Sequence, residues 1–549
     1  MKKLYKSWIL FMIAITAVTI SCKKNFLDPP STTIITEDIV ITDPSAFEGY
    51  VGSRYRQPST LDKAFNFLQM NCFGDEGFNI FTSQPGYQLG QLSPDNSVGL
   101  DNYWKDSYKA IHDCNYGLKN IGTVKFTEET RRKQVRAELR FLRAYRYYTL
   151  TTFYGGVVLM GDEVYNLEDN FDIPALYTRS SLQECVKYIL DELTAAAADL
   201  PKDNDGSWAL GRATKGAALA LKSRLALFAA SPLYNSGTWT DAAKAAKEVM
   251  ALNKYSIDKS MGTESYRLLF LNSKSSEVIF QHLYTLNASH DPFERNYSPN
   301  GYGGWTDLTI SQNLVDDYQM SNGKMITDPT SGYDPQNPYI NRDPRLQQTV
   351  LTNGQMYRGR PVEFFLPGGK DTKDGPDAQN TQKTSYTLHK FLDDNQPIVP
   401  ASTSGQTPWI SMRYAEVLLN YAEAQNEASG PDQSVYDAIN DIRNRAGMPN
   451  IAQGLSQPQM RDAIRQERRV ELALEGYRFF DVRRWGITNI TETAPIRGMS
   501  ITKDNTGKLT FAVQNVINRQ FSPYQIWLPI PRDVIVSSKN KMAQNPGYN

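Results

Sequence analysis

Three carboxylates, Glu467, Glu471 and Glu475, recur every fourth residue in the stretch RDAIRQERRVELALEGYRFFDVRRW, residues 461–485. Two carboxylates roughly 5–10 Å apart can hydrolyse a glycosidic bond, and four-residue spacing puts all three on one helix face. The same stretch carries Arg468, Arg478, Arg483 and Arg484, with Arg468 placed to reach Glu471 a turn on. Structural ion-pair networks imitate catalytic ones, so the reading adopted is Glu and Arg fixing a helix in a crowded interior. No other catalytic arrangement stands out. His112, His282, His290 and His389 are single and lack metal-ligand spacing. There is no GxSxG elbow, P-loop or dinucleotide fingerprint. The expectation is a protein that is not an enzyme and has no resident metal or cofactor, with calcium left open.

Binding chemistry is better represented. Pyranose rings carry apolar C–H faces that stack on flat aromatics, each stacked face contributing on the order of 1 kcal/mol, while planar polar side chains fix the hydroxyls. Two Gly-rich loops supply that mixture. Residues 73–99 hold Asp75, Glu76, Phe78, Asn79, Phe81 and Tyr87, and residues 295–307 (RNYSPNGYGGWTD) hold Tyr297, Asn300, Tyr302 and Trp305. Trp305, among glycines that leave its face open, is the first candidate, and Trp104, Trp208, Trp239, Trp409, Trp485 and Trp527 are read as core. The candidate ligand set is Trp305, Tyr302, Tyr297, Asn300, Tyr87, Phe81, Asn79 and Asp75.

The elements that must position these loops are mostly helices. Apolar periodicity and end signals predict helices from Asp43-Pro44, over 103–121, from Thr127 to a stop at Gly155-Gly156, and over 181–200. Two alanine-rich helices, from Gly211 and over 239–252, pair closely through Ala217, Ala220, Ala226, Ala243 and Ala246. That is the logic of tetratricopeptide helix pairs, although most consensus positions are missing. Residues 287–408 change character: Gly, Pro, Asn and Asp punctuate them and only 309–318 reads as helix. Helix returns at 409–428, 435–446 and through 461–485, followed by a hairpin over 499–513 and a short strand over 524–530.

Residues 1–21 read as a targeting segment: Lys2, Lys3 and Lys6 precede an apolar run from Trp8 to Ile20, and Ser21 precedes Cys22. This pattern marks bacterial lipoprotein processing, with Cys22 acylated and residues 22–42 a tether to a single body over 43–549. Thr19 stands where Leu is usual, and Lys23 and Lys24 follow the cysteine. Lys+Arg and Asp+Glu both total 59, and without residues 1–21 the chain has a small excess of acid. Nothing points to nucleic acid. Cys72, Cys114 and Cys185 are widely spaced and read as buried thiols.

Three stretches in order, RYAEVLLNYAEAQNE (413–427), residues 461–485 and LPIPRDVIVSSKNKMAQNPGY (528–548), resemble the SusD/RagB family, as does SCKKNFLDPPS at the mature start. The resemblance covers nearly the whole chain. It implies a mostly α scaffold of degenerate tetratricopeptide-like pairs carrying long irregular loops and a small β portion. It further implies a lipid-anchored outer-membrane protein facing the cell exterior, which passes oligosaccharide to a SusC-like TonB-dependent β-barrel transporter. Three alternatives stay open: a peptide ligand in the same role, a surface glycoside hydrolase, and a repeat scaffold that binds only protein.

Overall fold

The structure is a computed structural model that describes residues 37–56, 68, 70–79, 85–96, 102–165, 173–285, 290, 292–398 and 405–548. Cys22 and Phe81 lie outside the described residues. The chain enters its first long helix, α1 (Pro44–Ser53), where the Asp43 carboxylate accepts the Ala46 amide at 2.8 Å and Pro44 supplies a preset φ. The scaffold then runs through α2 (Asn102–Asn120), α3 (Glu129–Tyr154), α4 (Leu182–Asp199), α5 (Lys215–Ala230) and α6 (Trp239–Met250). After the irregular middle it resumes with α7 (Tyr414–Ser429), α8 (Gln433–Arg445), α9 (Gln457–Glu471) and α10 (Arg478–Arg484). Side-chain caps start most of these helices: Ser181, Thr214, Thr238, Asp432 and Ser456 each occupy an N-cap.

Each of α2 to α7 packs on the next, α6 meeting α7 across the intervening loops, and α7 also touches α5, α8 and α9. Ala217, Ala220, Ala243 and Ala246 are buried where α5 meets α6, so the two backbones approach as the alanines predict. Gly155 (φ 76°) ends α3, and at Gly156 a Cβ would lie 2.3 Å from the Ser180 carbonyl oxygen. One continuous apolar core joins helices and loops, and Cys72, Cys114 and Cys185 lie buried as free thiols. No helix among the described residues is long and apolar enough to cross a membrane.

The β portion is small. β1 (Gly77–Asn79), β3 (Leu308–Ile310), β7 (Thr387–Leu388) and β4 (Val350–Leu351) form one sheet in that order. β2 (Val278–His282) pairs with β8 (Trp409–Arg413), β5 (Met356–Tyr357) with β6 (Arg360–Pro361), and β9 (Ile496–Lys503) with β10 (Leu509–Ile517). In the last hairpin Met499 faces Val513 and Ile501 faces Phe511, the predicted alternation.

Five expectations need correction. Residues 287–408, read as helical only at 309–318, also hold the short helices Phe293–Tyr297 and Arg345–Thr349. Residues 409–413 are strand β8, because β2 offers a ladder that local helix propensity cannot report. Residues 308–310 are likewise strand, and the helix there is confined to Gln312–Asp317 behind the Ser311 cap. The expected strand at 524–530 begins instead as a 3₁₀ turn, Pro523–Ile526, within a Ser522–Gln525 capping box. Finally, 461–485 is not one helix. α9 ends at Glu471, and the chain turns through Leu474 (φ 64°) and Gly476 (φ 82°) before α10. Leu474 is a branched residue in the left-handed region, which costs energy unless neighbours enforce it. Here Asn71 donates to the Leu474 carbonyl at 2.9 Å, Glu76 accepts the Leu474 amide at 3.2 Å, and Asn71 accepts the Gly476 amide at 3.2 Å.

Candidate functional site

The turn after α9 resolves the carboxylate question. Glu467 and Glu471 leave α9 on one face, and Glu475 reaches the same interior from beyond the turn. Arg345 binds Glu467 (2.6 Å), Glu471 (2.9 Å) and Asp343 (2.8 Å), and Arg413 binds Glu277 (2.6 Å), Glu471 (2.6 Å) and Glu475 (2.7 Å). Arg443 holds Glu467, Arg445 holds Glu277 and Glu471, and Lys390 holds Glu475. Five cations and five carboxylates therefore interlock with side chains at most 3% exposed. Arg468 turns away to Asp481 (2.7 Å) and Asn420 (2.8 Å) and does not touch Glu471 as its spacing suggested. The cluster is a charge-balanced interior that leaves no carboxylate pair facing a cleft.

The aromatic loop 295–307 is different. It begins in the short helix Phe293–Tyr297, passes a 3₁₀ turn at Asn300–Tyr302, and folds back through Gly303 (φ 89°) and Thr306 (φ 56°). The Trp305 amide donates to the Arg295 carbonyl at 2.7 Å and the Asp307 amide to the Asn296 carbonyl at 2.8 Å. At Gly304 a Cβ would sit 2.1 Å from the Ser298 carbonyl oxygen, so only glycine permits this closure. The result lifts Trp305 to 43% exposure, with the Arg295 guanidinium 4.4 Å from its ring centroid. Exposed aromatics on a rigid support suit a stacking ligand.

Tyr302, half-buried on the same loop, is braced from the next one. Arg360 lies 3.6 Å above its ring, the Tyr302 hydroxyl donates to the Arg360 carbonyl at 2.9 Å, and Tyr357 meets the ring edge-on at 5.0 Å. Arg360 is held by two 2.8 Å bonds to buried Asp371. Neither Arg295 nor Arg360 was singled out in the sequence; the signal they carry is an arginine at the base of an aromatic loop and one inside a tight hairpin.

The remaining candidates serve the loops from inside. Asn300 is buried and its amide donates to the Thr372 (3.0 Å) and Asp377 (2.8 Å) carbonyls, stapling the two loops together. Tyr297 is buried against Phe293, ring centroids 5.7 Å apart. In the other loop, Asn79 is enclosed in β1 opposite Leu308. Tyr87 is buried between Phe73 and Phe479 with its hydroxyl against Arg483, and burial pushes its pKa up to about 12. Asp75 is buried too: enclosure alone would raise its pKa, but Arg469 (3.1 Å) and Arg478 (2.8 Å) outweigh that and hold the carboxyl well below the usual range. The structure thus places the candidates Asp75, Asn79, Tyr87, Tyr297 and Asn300 in the interior, where closing each loop consumed its polar and aromatic side chains. No group of His, Cys, Asp or Glu suited to hold a metal ion occurs among the described residues.

Paired helices bearing a loop-borne, arginine-braced aromatic surface define a scaffold built for presentation. Residues 272–548 match the family model described as "SusD family", and residues 82–227 match one described as "Starch-binding associating with outer membrane". The chain belongs to the SusD family. It is similar to a SusD-like protein of known structure from Bacteroides fragilis, at 30% identity and a TM-score of 0.78, covering 93% of this chain and 99% of that one. A SusD-like carbohydrate binding protein from the same species is 27% identical with a TM-score of 0.80, over 91% of this chain and 99% of the other. SusD-like protein P2 of Formosa agariphila is 26% identical across 83% of this chain and 82% of its own length.

Proposed function

We propose that this protein captures oligosaccharide at the outer membrane and passes it uncleaved to a SusC-like TonB-dependent transporter, with Cys22 as its lipid anchor. The observation that carries the reading is Trp305, which stands exposed on a loop locked by Gly303, Gly304 and the Asn300 staple. Family membership supports the role, as does the carbohydrate binding named for the similar Bacteroides fragilis protein. Tyr302 extends the platform, and Asn79, Asp75, Tyr87, Tyr297 and Asn300 act indirectly by fixing its supports. A non-catalytic role is consistent with Asp371, whose carboxylate is spent on Arg360 and the Glu363 amide.

The test is calorimetric titration of the chain from Lys23 onward with plant, host and microbial oligosaccharides beside a mixed peptide pool, each mixture assayed for cleavage. One glycan class should bind saturably without turnover, and Trp305→Ala should weaken it at least about tenfold, or ~1.4 kcal/mol. Peptide binding alone, or cleavage products, would overturn the reading.

A further inference from the structure

The hairpin of β9 and β10 has one covered edge and one open edge. Along the outer side of β9, the Met499 amide donates to the Thr384 carbonyl (2.9 Å) and Ser385 Oγ to the Met499 carbonyl (2.7 Å). The Leu366 amide donates to the Ile501 carbonyl (2.9 Å) and the Lys503 amide to the Leu366 carbonyl (2.8 Å). Met499 and Ile501 face Val513 and Phe511. In an antiparallel ladder, residues opposed in this way turn their amides and carbonyls away from each other. On β10, therefore, Phe511, Val513 and Asn515 point theirs away from β9.

At Phe511 both groups are capped by the Gln336 side chain. Its Oε1 accepts the amide and its Nε2 donates to the carbonyl, each at 3.1 Å. A side-chain amide thus stands in for a third strand. At Val513 and Asn515 no group among the described residues takes that place. Beyond Asn515 a bulge ends the regular ladder. Open edges invite another strand, and proteins commonly blunt them with charged side chains or proline. Here the chain from Leu509 to Asn518 reads LTFAVQNVIN, without charge, proline or glycine. Ala512, Val513, Gln514 and Asn515 are exposed in succession, so both faces of the strand stand clear of the body.

Symmetry decides what fits this edge. Its open groups lie one residue either side of Gln514. An antiparallel copy of the same strand centred there sets Val513 against the partner's Asn515, and Asn515 against the partner's Val513. Each pair exchanges two hydrogen bonds, which satisfies every open group on both strands. No like charges are opposed, and a charged strand would find no counter-charge. We propose that β10 pairs antiparallel with β10 of a second copy of this chain, about a twofold axis at Gln514. Such an interface is isologous, and so short a ladder makes the dimer weak and concentration-dependent. It uses neither Trp305 nor its loop and is independent of the carbohydrate reading.

Sedimentation equilibrium of the chain from Lys23 onward should show its mass rising from monomer towards dimer between about 10 and 500 µM. Val513→Pro removes one outward amide while sparing the β9 ladder, and should weaken the dimer at least about tenfold. Gln514→Lys, an exposed substitution, opposes two ammonium groups and should weaken it similarly at low salt, with recovery at high salt. Cysteine reads the register. In Gln514→Cys the two Cα atoms would lie roughly 4.5–5.5 Å apart, within disulfide reach, so diamide should give a covalent dimer. Ala512→Cys lies opposite the partner's Val516 and should stay unlinked, the native thiols Cys72, Cys114 and Cys185 being buried. A monomer across the whole range would overturn the proposal. So would a dimer indifferent to both Val513→Pro and Gln514→Lys, or equal linking of the two cysteine variants.

Discussion

Glu471→Ala is expected to be the most damaging single substitution near α9, lowering stability by about 3–5 kcal/mol. Glu471 is fully buried, and it accepts from Arg413 at 2.6 Å, from Arg345 at 2.9 Å and from Arg445. Burial by itself would raise its pKa, but Arg445, Arg413 and Arg345 together drive the carboxyl well below the usual range. With the cluster balanced at five charges of each sign, deleting one carboxylate strands a cation in the interior. The penalty arises from that orphaned charge more than from the lost attraction. Urea unfolding of Glu471→Ala and Glu471→Gln should show both strongly destabilised. The double variant Glu471→Gln with Arg445→Met, which restores balance, should recover part of the loss relative to Glu471→Gln alone. A cost under about 1 kcal/mol for Glu471→Ala, or strict additivity in the pair, would show that the cluster is not an energetic unit.

That cluster also marks where the sequence stops being readable. Helices whose ends carry their own signals were legible: Asp43-Pro44 opens α1, Ser181 opens α4, and Gly155-Gly156 closes α3, all by chemistry within a few residues. Strand β8 was not, because its partner β2 lies more than a hundred residues earlier and only pairing distinguishes it from helix. The break after Glu471 was hidden for a related reason. Nothing local in Leu472 to Glu475 forbids helix; the turn is imposed by Asn71 and Glu76, some four hundred residues away in sequence. The aromatic loops divide in the same manner. Glycines flanking Trp305 signalled an exposed ring, and the ring is exposed. Tyr87 and Asn300 look equally suited by composition, yet their burial depends on Phe479 and Asp377, distant contacts that spacing cannot reveal, whereas Tyr297 packs on Phe293 one helical turn earlier.

Glu76→Gln, by contrast, is expected to stabilise the protein at neutral pH by up to about 3 kcal/mol. Burial pushes the Glu76 pKa up to about 7, with Asp75 adding to the rise, while Arg469, 3.3 Å away, offsets only part of it. Arg469 is shared with Asp75 (3.1 Å) and Asp317 (2.7 Å), which explains why its help is incomplete. The folded pKa lies above the unfolded value, 4.5, so the folded protein prefers the protonated acid. That preference is fully satisfied below about pH 4.5 and is lost as pH rises through about 7, where keeping Glu76 buried requires an unfavourable ionisation. A glutamine there keeps the shape and a carbonyl for the Leu474 amide, and never ionises. The stability gain of Glu76→Gln over wild type should therefore be near zero at pH 4.5, grow through pH 6 and level off above pH 7. Urea midpoints measured for both proteins across that range provide the check. A gain independent of pH would assign it to packing, and a loss at pH 8 would show that the charge of Glu76 is needed to hold Arg469 and the left-handed turn at Leu474.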